Sequence, residues 1–251
     1  MNLFNLAGKT AIVTGAARGL GQAISVGLAE AGANVVIVTN ASPAEETLAL
    51  VEATGQKGII VKADVGDQAQ LPGIIEQAKH AFGSIDILVN NAGIIRRTPA
   101  AEFSFADWQA VLAVNLDSVF TLSQLAGREM IAQGSGKIIN IASMLSFQGG
   151  INVPAYTASK HGVAGITKAF ANEWASKGVQ VNAIAPGYMA TDNTAALRAD
   201  ENRNQQILDR IPAARWGTND DLKGATIFLA SSASDYVNGH ILCVDGGWMN
   251  R

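Results

Sequence analysis

The sequence predicts an α/β fold in which a single domain, residues 1–251, forms a doubly wound parallel sheet with helices on both faces. Short β-branched runs alternate along the chain with longer segments that have apolar residues at helical spacing, a pattern typical of βαβ units. Runs such as VVIV, IDILV and KIINI are almost wholly apolar, as strands buried on both faces are. Of the 251 residues, 48% are apolar, which suffices for one sizeable core.

The first half of the chain is predicted to contain four strands with helices between them. KTAIVT and ANVVIVT are β-branched runs, and apolar residues recur at helical spacing in the segment that joins them. Ser42 and Pro43 precede two glutamates, which favours a helix start with Ser42 as the N-cap and Pro43 at the first helical position. The predicted strands are 9–14, 33–39, 58–62 and 85–90, and the predicted helices are 20–31, one beginning at Pro43, and one near 67–82.

The second half continues the alternation, and its connections are expected to be right-handed crossovers. A segment over 191–210, rich in Thr, Asp and Arg, interrupts the apolar pattern. No long linker or solenoid repeat divides the sequence. The predicted strands are 136–142, 179–185 and 239–244, and the predicted helices are near 106–131, 155–176 and 219–231.

Charge and composition argue against several classes of function. A net charge of −3 and an isoelectric point near 5.6 give no basic surface for nucleic acid. No apolar run approaches the ~18–20 residues of a membrane span, and the first residues lack the basic region and cleavage site of a secretory signal. We therefore expect a cytoplasmic protein without nucleic-acid or membrane partners. The one cysteine, Cys243, lies in an apolar run and is expected to be buried.

A glycine-rich turn follows the first predicted strand. In TGAARGLG, Gly15 allows a tight turn, Gly19 lets the backbone approach a pyrophosphate, and Gly21 lets the helix pack closely on the strand. The next helix would present unpaired N–H groups and its positive dipole end to the phosphates. The turn therefore predicts a dinucleotide site of the Rossmann type.

The second predicted strand ends at Thr39 and Asn40, where an acidic residue usually binds the adenosine ribose. Without a carboxylate, a 2′-phosphate is not repelled, and Arg18 is a candidate to attract one. Thr39 and Asn40 are equally suited to hydrogen-bond a 2′-hydroxyl. These residues leave both NAD and NADP open.

Three residues within 140–168 have the chemistry to move a proton. Ser143 ends an apolar strand, and Tyr156 and Lys160 are four residues apart, so a helix would place them on one face. A free tyrosine has a pKa near ~10, and a lysine cation beside it is expected to lower that pKa. Ser143 would hydrogen-bond the oxygen of a carbonyl or alkoxide above the phenol. The three histidines lack metal-ligand spacing, so no metal site is predicted.

Together these motifs resemble the short-chain dehydrogenase/reductase superfamily over essentially the whole chain. Besides the glycine-rich turn, the matches are NNAG, AVNLDSVF, the Ser/Tyr/Lys set and the segment from Pro186 to Thr191. The resemblance implies a nicotinamide-dependent oxidoreductase whose catalytic residues are Asn115, Ser143, Tyr156 and Lys160, with Asn115 anchoring a proton-relay water. The cofactor-binding residues it implies are Gly15, Arg18, Gly19, Leu20, Gly21, Thr39, Asn40, Asp64, Val65, Asn91, Ala92, Gly93, Tyr156, Lys160, Pro186, Gly187, Met189 and Thr191.

Within the superfamily, NNAGIIRR, INIASMLSFQGG, APGYMATDNT and VDGGWMNR resemble dehydrogenases of deoxy sugar acids. This implies hydride transfer to or from a substrate of the 2-keto-3-deoxygluconate or 2-deoxygluconate type, in uronate degradation. Such enzymes generally favour NAD and tend to lack the second-strand acid, so NAD is expected, with NADP as the alternative. A homotetramer is also implied, as is a mobile substrate lid over about 191–216, which includes Arg203.

Two arginines follow the NNAG motif at the end of a predicted strand, where doubly wound sheets bind ligands. The guanidinium groups of Arg96 and Arg97 suit the carboxylate of a sugar acid, because each can fork onto it with two hydrogen bonds. Gln148 and Tyr188 are candidates to bind sugar hydroxyls, with Ser143 and Tyr156 at the reacting oxygen.

Other functions stay as alternatives. A serine hydrolase would need a glycine on either side of the nucleophile, and the sequence around Ser143 is IASML. A nucleotide-binding sensor would have lost part of the Ser/Tyr/Lys set, which this chain keeps. The serious alternative is a reductase of another carbonyl compound: a 3-oxoacyl thioester, another sugar or an unsaturated-uronate ketone. A fatty-acyl reductase would not need the arginine pair.

Overall fold

The structure is a computed structural model that describes residues 3–251, apart from the side chain of Asn193. Its strands are β1 (Thr10–Thr14), β2 (Asn34–Thr39), β3 (Gly58–Lys62), β4 (Ile87–Asn90), β5 (Gly136–Ile141), β6 (Val179–Pro186) and β7 (Ile241–Val244). They form one parallel sheet in the order β3-β2-β1-β4-β5-β6-β7. The order reverses at β1 and β4, and the carboxyl ends of these strands flank the crevice in which doubly wound sheets bind ligands. The predicted fold class is confirmed.

Helices cover both faces of this sheet. They are α1 (Gly19–Glu30), α2 (Glu45–Ala53), α3 (Leu71–Phe82), α4 (Phe105–Leu112), α5 (Ser118–Gln133), α6 (Pro154–Trp174), α7 (Ala195–Ala199), α8 (Glu201–Arg210) and α9 (Lys223–Ala230). Val13 of β1 packs in one core with Leu28 of α1, whereas its neighbour Ile12 packs in the other with Ile74 of α3 and Leu122 of α5. Because successive strand residues face opposite cores, β1 is buried along its whole length.

Three predicted helix starts are wrong. In the helix predicted over 219–231, a 3₁₀ turn over Asn219–Leu222 precedes α9. Helix α2 begins at Glu45, and its N-cap residue is Ala44 rather than Ser42. Ser42 instead lies in the turn after β2, where its carbonyl accepts a hydrogen bond from the Thr39 hydroxyl (2.9 Å). The helix predicted near 67–82 begins with a 3₁₀ turn over Gln68–Gln70, and α3 starts only after it.

The helix predicted near 106–131 is interrupted. Helices α4 and α5 are joined by a π-helical turn over Ala113–Asp117, a distortion that is frequent at functional sites. The continuous helical stretch Phe105–Gln133 is long and apolar enough to cross a membrane by length and composition alone, although the sequence showed no apolar run of that length. In the fold, 44% of its most apolar part is buried, and Leu122 and Met130 lie in the core.

Cys243 is exposed, so the prediction that it is buried is wrong. Strand β7 is the last strand of the sheet and pairs with β6 alone. Along β7, Ile241 is buried, Leu242 and Val244 are partly buried, and Cys243 is exposed. The apolar run alone did not reveal that this strand is at an edge.

Candidate active site

Two adjoining clefts open along the carboxyl ends of the strands. The first has a volume of about 590 Å³ and extends from the glycine-rich turn to the ends of β2 and β3. The second has a volume of about 550 Å³ and is lined by residues that follow β5 and β6. The residues that line both are Leu20, Asn91, Gly93, Ile94 and Thr191. One ligand can therefore extend from the first cleft into the second.

The glycine-rich turn forms one wall of the first cleft. Gly15 and Gly19 have φ values of +63° and +59°, which favour glycine. A Cβ atom on Gly21 would collide with the carbonyl oxygen of Gly15, whereas one on Gly19 would meet nothing within 4 Å. Helix α1 thus approaches the turn closely, and the backbone at Gly19 faces open space.

The N-terminus of α1 fits the pyrophosphate of a dinucleotide. Arg18, at the N-cap, makes no side-chain cap hydrogen bond, and the first turn contains no acidic residue. The free N–H groups and the positive end of the helix dipole are therefore available to an anion. Asn219 lines the same cleft, and its buried Oδ1 atom has no hydrogen-bond partner among the residues that the structure describes.

The far end of the first cleft carries the residues that would meet the adenosine. Thr39 is buried, and its hydroxyl is already bonded to the Ser42 carbonyl. Asn40 is exposed and lines the cleft. Arg18 also lines it, 3.6 Å from Asp192 in an exposed ion pair, a type of contact that contributes little in water. Arg18 and Asn40 are thus the side chains here that can turn to a ligand.

The NNAG motif connects the two clefts. Asn91 donates hydrogen bonds to the carbonyls of Thr14 (2.8 Å) and Gly15 (3.1 Å), which ties the end of β4 to the glycine-rich turn. The Thr14 hydroxyl accepts from the backbone N–H groups of Asn91 and Ala92 (both 3.0 Å). The predicted cofactor residues that line this part of the first cleft are Asp64, Val65, Asn91, Ala92 and Gly93.

Asn115, in the π-helical turn, supports the loop after this motif. Its buried side chain accepts from the Ile94 N–H (2.8 Å), donates to the Ile94 carbonyl (2.9 Å) and reaches Ser159 Oγ on α6 (3.3 Å). The side chain therefore holds the loop against α6.

Ser143 and Tyr156 meet in the second cleft. Ser143 follows β5, and its Oγ accepts from the Leu145 N–H (3.1 Å), which caps a 3₁₀ turn. Burial raises the pKa of the Tyr156 phenol above its ordinary value, whereas its hydrogen bond with Ser143 and the positive charge of Arg97 act to lower that pKa. The phenol is therefore protonated at neutral pH when no ligand is present.

Lys160 lies on the same face of α6 as Tyr156, with Nζ 5.5 Å from the centre of the phenol ring. The buried ammonium donates to the Ile141 carbonyl at the end of β5 (2.6 Å). Burial lowers the pKa of Lys160 to about 8. The net shift of the Tyr156 pKa is upward because burial outweighs the Ser143 hydrogen bond and the Arg97 charge, and the lowering of this pKa by Lys160 stays a prediction.

The segment after β6 forms the opposite wall of the second cleft. A Cβ atom on Gly187 would lie 2.6 Å from the Cα atom of Asp245, so the chain needs glycine where these segments cross. Tyr188 packs edge-on against Trp216 (5.4 Å between ring centroids) and Trp248 (4.7 Å). The predicted residues that line this wall are Pro186, Gly187, Tyr188, Met189 and Thr191.

The two arginines after the NNAG motif point in different directions. Arg97 lines the second cleft, as does Gln148. Arg96 lines neither cleft, and its Nε atom lies 3.5 Å from a carboxylate oxygen of Asp107 on α4. The structure therefore brings Arg97, but not Arg96, to the predicted substrate side.

Helix α8 contributes four side chains to the second cleft, of which the sequence singled out only Arg203, as part of the predicted lid. They are Arg203, Gln206, Ile207 and Arg210, and the C-terminal segment adds Trp248. The i, i+3, i+4, i+7 spacing of the four α8 residues is the signal that could have identified this face.

The site combines a helix N-terminus suited to an anion with a Tyr–Lys pair in adjoining clefts, which is the arrangement of a nicotinamide-dinucleotide oxidoreductase. Residues 15–249 match the family described as enoyl-(acyl carrier protein) reductase. Full-length relatives show the same ancestry, and the chain belongs to the short-chain dehydrogenase/reductase family as an NAD(P)-dependent oxidoreductase.

Three relatives illustrate the similarity. The chain is 57% identical to a 2-dehydro-3-deoxy-D-gluconate 5-dehydrogenase of Dickeya dadantii, over 100% of this chain and 99% of the relative. It is 59% identical to the enzyme of that name from Bacillus subtilis, over 99% and 97% of the two chains. A crystal structure from Agrobacterium tumefaciens, assigned as a 2-deoxy-D-gluconate 3-dehydrogenase with bound NADP, matches at 54% identity and a TM-score of 0.94 over 100% of both chains.

Proposed function

We propose that this protein transfers a hydride between a nicotinamide cofactor and a secondary alcohol or ketone of a deoxy sugar acid, of the 2-keto-3-deoxygluconate or 2-deoxygluconate type. The observation that carries this proposal is the second cleft, where the Ser143–Tyr156 pair lies together with Arg97. Positively charged side chains in this cleft suit an anionic substrate. The names of the full-length relatives support the same substrate class.

The residues divide the work as follows. Tyr156 exchanges a proton with the substrate oxygen as general acid/base, a role that typically contributes ~10²–10⁴-fold in rate. The nicotinamide, when bound, supplies or accepts the hydride. Ser143 orients the substrate oxygen, Lys160 holds the nicotinamide ribose, and Asn115 anchors the water through which the proton leaves. Gln148 and Tyr188 bind sugar hydroxyls.

For the cofactor, NAD is proposed as the preferred form and NADP as the alternative. Asn40 can hydrogen-bond a 2′-hydroxyl, which favours NAD. Arg18 is held only by an exposed ion pair with Asp192 and can turn to a 2′-phosphate, which favours NADP. NADP is also the cofactor bound in the Agrobacterium tumefaciens structure.

The wider setting is inferred from the family. We infer a cytoplasmic homotetramer in uronate degradation, with the long helices over about 106–131 (α4 and α5) and 155–176 (α6) at one interface and the segment over 191–216 as a substrate lid. Phe120 on α5 is 43% exposed and adjoins the stacked rings of Phe170 and Trp174 on α6, which gives these helices an apolar patch suited to a second copy.

Steady-state absorbance of the reduced nicotinamide tests the proposal. The assay compares 2-keto-3-deoxygluconate with a β-ketoacyl thioester, each with NAD(H) and with NADP(H). We expect turnover of the sugar acid, faster with NAD. Faster turnover with NADP would make Arg18 the phosphate partner, and activity on the thioester alone would overturn the substrate assignment.

A further inference from the structure

The second cleft has an unusual charge balance for a protein with a net charge of −3. Four cationic side chains line it and no aspartate or glutamate does, among the residues that the structure describes. These cations are Arg97, Lys160, Arg203 and Arg210. A cleft lined by one sign of charge concentrates ligands of the opposite sign.

Two of these cations come from helix α8. Arg203 and Arg210 are seven residues apart, and Gln206 and Ile207 lie between them on the same helical face. Ile207 is buried and anchors the helix, which leaves the longer polar side chains directed along the cleft. Helix α8 therefore presents a cationic face to the cleft that also contains Ser143 and Tyr156.

The two arginines of α8 differ in how they are held. The Arg210 guanidinium lies 4.1 Å from the centre of the Trp248 ring, stacked on an aromatic face. Arg203 donates to the neutral amide oxygen of Gln206 (3.1 Å). Neither forms an ion pair within the described part of the chain, whereas Arg215, a few residues further on, makes two hydrogen bonds to Asp221 (2.7 and 2.9 Å). Arg203 thus has a weak neutral partner that a carboxylate can replace.

Arg97 occupies a different place from Arg203. Its charge acts on the Tyr156 phenol, which puts Arg97 at the reacting end of the cleft. In a sugar acid that reacts at a carbon remote from the acid group, the carboxylate lies at the opposite end of the carbon chain. A cation that binds the carboxylate at that remote end therefore comes from a different element than Arg97. Helix α8 carries two such cations, Arg203 and Arg210.

We propose that Arg203 recognises the carboxylate of the substrate and is the residue that selects acids over neutral sugars. The inference rests on the proposed function, since it concerns the same substrate. On binding, the carboxylate accepts two hydrogen bonds from the Arg203 guanidinium in place of the Gln206 amide. The substrate then connects α8 to Tyr156, so the acid group helps to hold this helix over the cleft.

The test compares each substrate acid with its C1 amide, which has a similar shape and no charge. The quantity measured is the ratio of kcat/KM for the acid to kcat/KM for the amide. We expect the wild type to favour the acid and R203M to lower that ratio about 10- to 100-fold, the range expected for hydrogen bonds to a charged group. R203K, which keeps the charge and loses the fork, should retain part of the ratio.

R198M is the matched control, because Arg198 is an exposed arginine of the same segment that lines neither cleft. Its acid-to-amide ratio should equal that of the wild type. Thermal unfolding verifies that each variant is folded.

Three results would overturn the inference. R203M could lower kcat/KM for acid and amide equally, which would make its role structural. The ratio could collapse in R97M and stay intact in R203M, which would place the carboxylate at Arg97. A wild type that turns over neither compound would remove the proposed function itself, and the inference with it; the first two results leave that function standing.

Discussion

At the residue scale, the proton chemistry depends on opposing effects on one phenol. Burial raises the pKa of Tyr156, and the Ser143 hydrogen bond and the Arg97 charge oppose that rise. A protonated tyrosine is ready to donate to a ketone oxygen, as reduction requires. Oxidation of an alcohol requires the phenolate, so we expect the oxidation rate to increase with pH.

Lys160 allows a pH test of the same site. Its folded-state pKa is about 8, whereas a lysine in an unfolded chain titrates near ~10.4. Between these values the unfolded chain binds a proton that the folded chain lacks, so this residue makes the free energy of unfolding rise with pH. Urea unfolding should show the stability of the wild type, relative to Lys160→Met, increasing from pH 8 towards pH 10. A relative stability that stays flat or decreases over that range would contradict the buried-ammonium account.

Sequence spacing predicted part of this residue-level geometry. Four-residue spacing correctly places Tyr156 and Lys160 on one helix face, because helix periodicity is local. It did not reveal that the ammonium turns to the Ile141 carbonyl, since that contact joins α6 to β5 through the tertiary fold. The orientation of Arg96 was not predictable either, because its contact with Asp107 depends on how α4 packs in the tertiary fold.

At the element scale, helix α8 is held by a small apolar cluster separate from the two main cores. The buried members of this cluster are Met144, Ile207, Ile211 and Trp248. A helix that buries so little is expected to open more readily than the sheet and its covering helices. This property fits a lid, because substrate must enter and product must leave beneath it.

Truncation of Ile207 should loosen α8 selectively. Ile207 is 1% exposed, and removing a buried isoleucine typically costs ~2–5 kcal/mol. We expect Ile207→Ala to increase amide hydrogen exchange in α7 and α8 more than elsewhere, and to lower kcat/KM for the substrate. Ile24→Ala, which truncates the main core, is the control and should lower stability without this local effect. Equal exchange in α8 of both variants would show that the helix is not a separately opening element.

The sequence was less informative about these elements than about the sheet. Strands are buried on both faces, and their continuous apolar runs predict them well. The segment over 191–210 is mostly polar, and Ile207 is the one buried residue of α8. Without an apolar pattern the sequence did not predict helices α7 and α8 in this segment. The π-helical turn over Ala113–Asp117 also escaped prediction, because so short a distortion barely alters apolar periodicity.

At the scale of the whole molecule, the two clefts form one site that a dinucleotide should span. A ligand that binds only the folded state stabilises it, by roughly 2.7 kcal/mol at 100 times its Kd. We therefore expect NAD and NADP each to raise the midpoint of thermal unfolding. Arg18→Ala should reduce the shift produced by NADP more than that produced by NAD, because only NADP carries the 2′-phosphate.

Lys57→Ala is a matched control for this measurement, since it removes the same charge from an exposed residue that lines neither cleft. In Lys57→Ala, the rise in the midpoint of thermal unfolding with NAD, and the rise with NADP, should each equal that of the wild type. If Arg18→Ala reduced the NAD-induced and the NADP-induced rise in the midpoint equally, Arg18 would contact a part common to the two cofactors.

The most direct test of the account is the turnover of 2-keto-3-deoxygluconate by Tyr156→Phe, followed by absorbance of the reduced nicotinamide, with cofactor binding measured in parallel. The variant keeps the ring and loses the exchangeable proton. The account predicts that kcat decreases at least ~10²-fold while the cofactor still binds. A variant that binds the cofactor and turns over the sugar acid at the wild-type rate would contradict the assignment of Tyr156 as the proton donor.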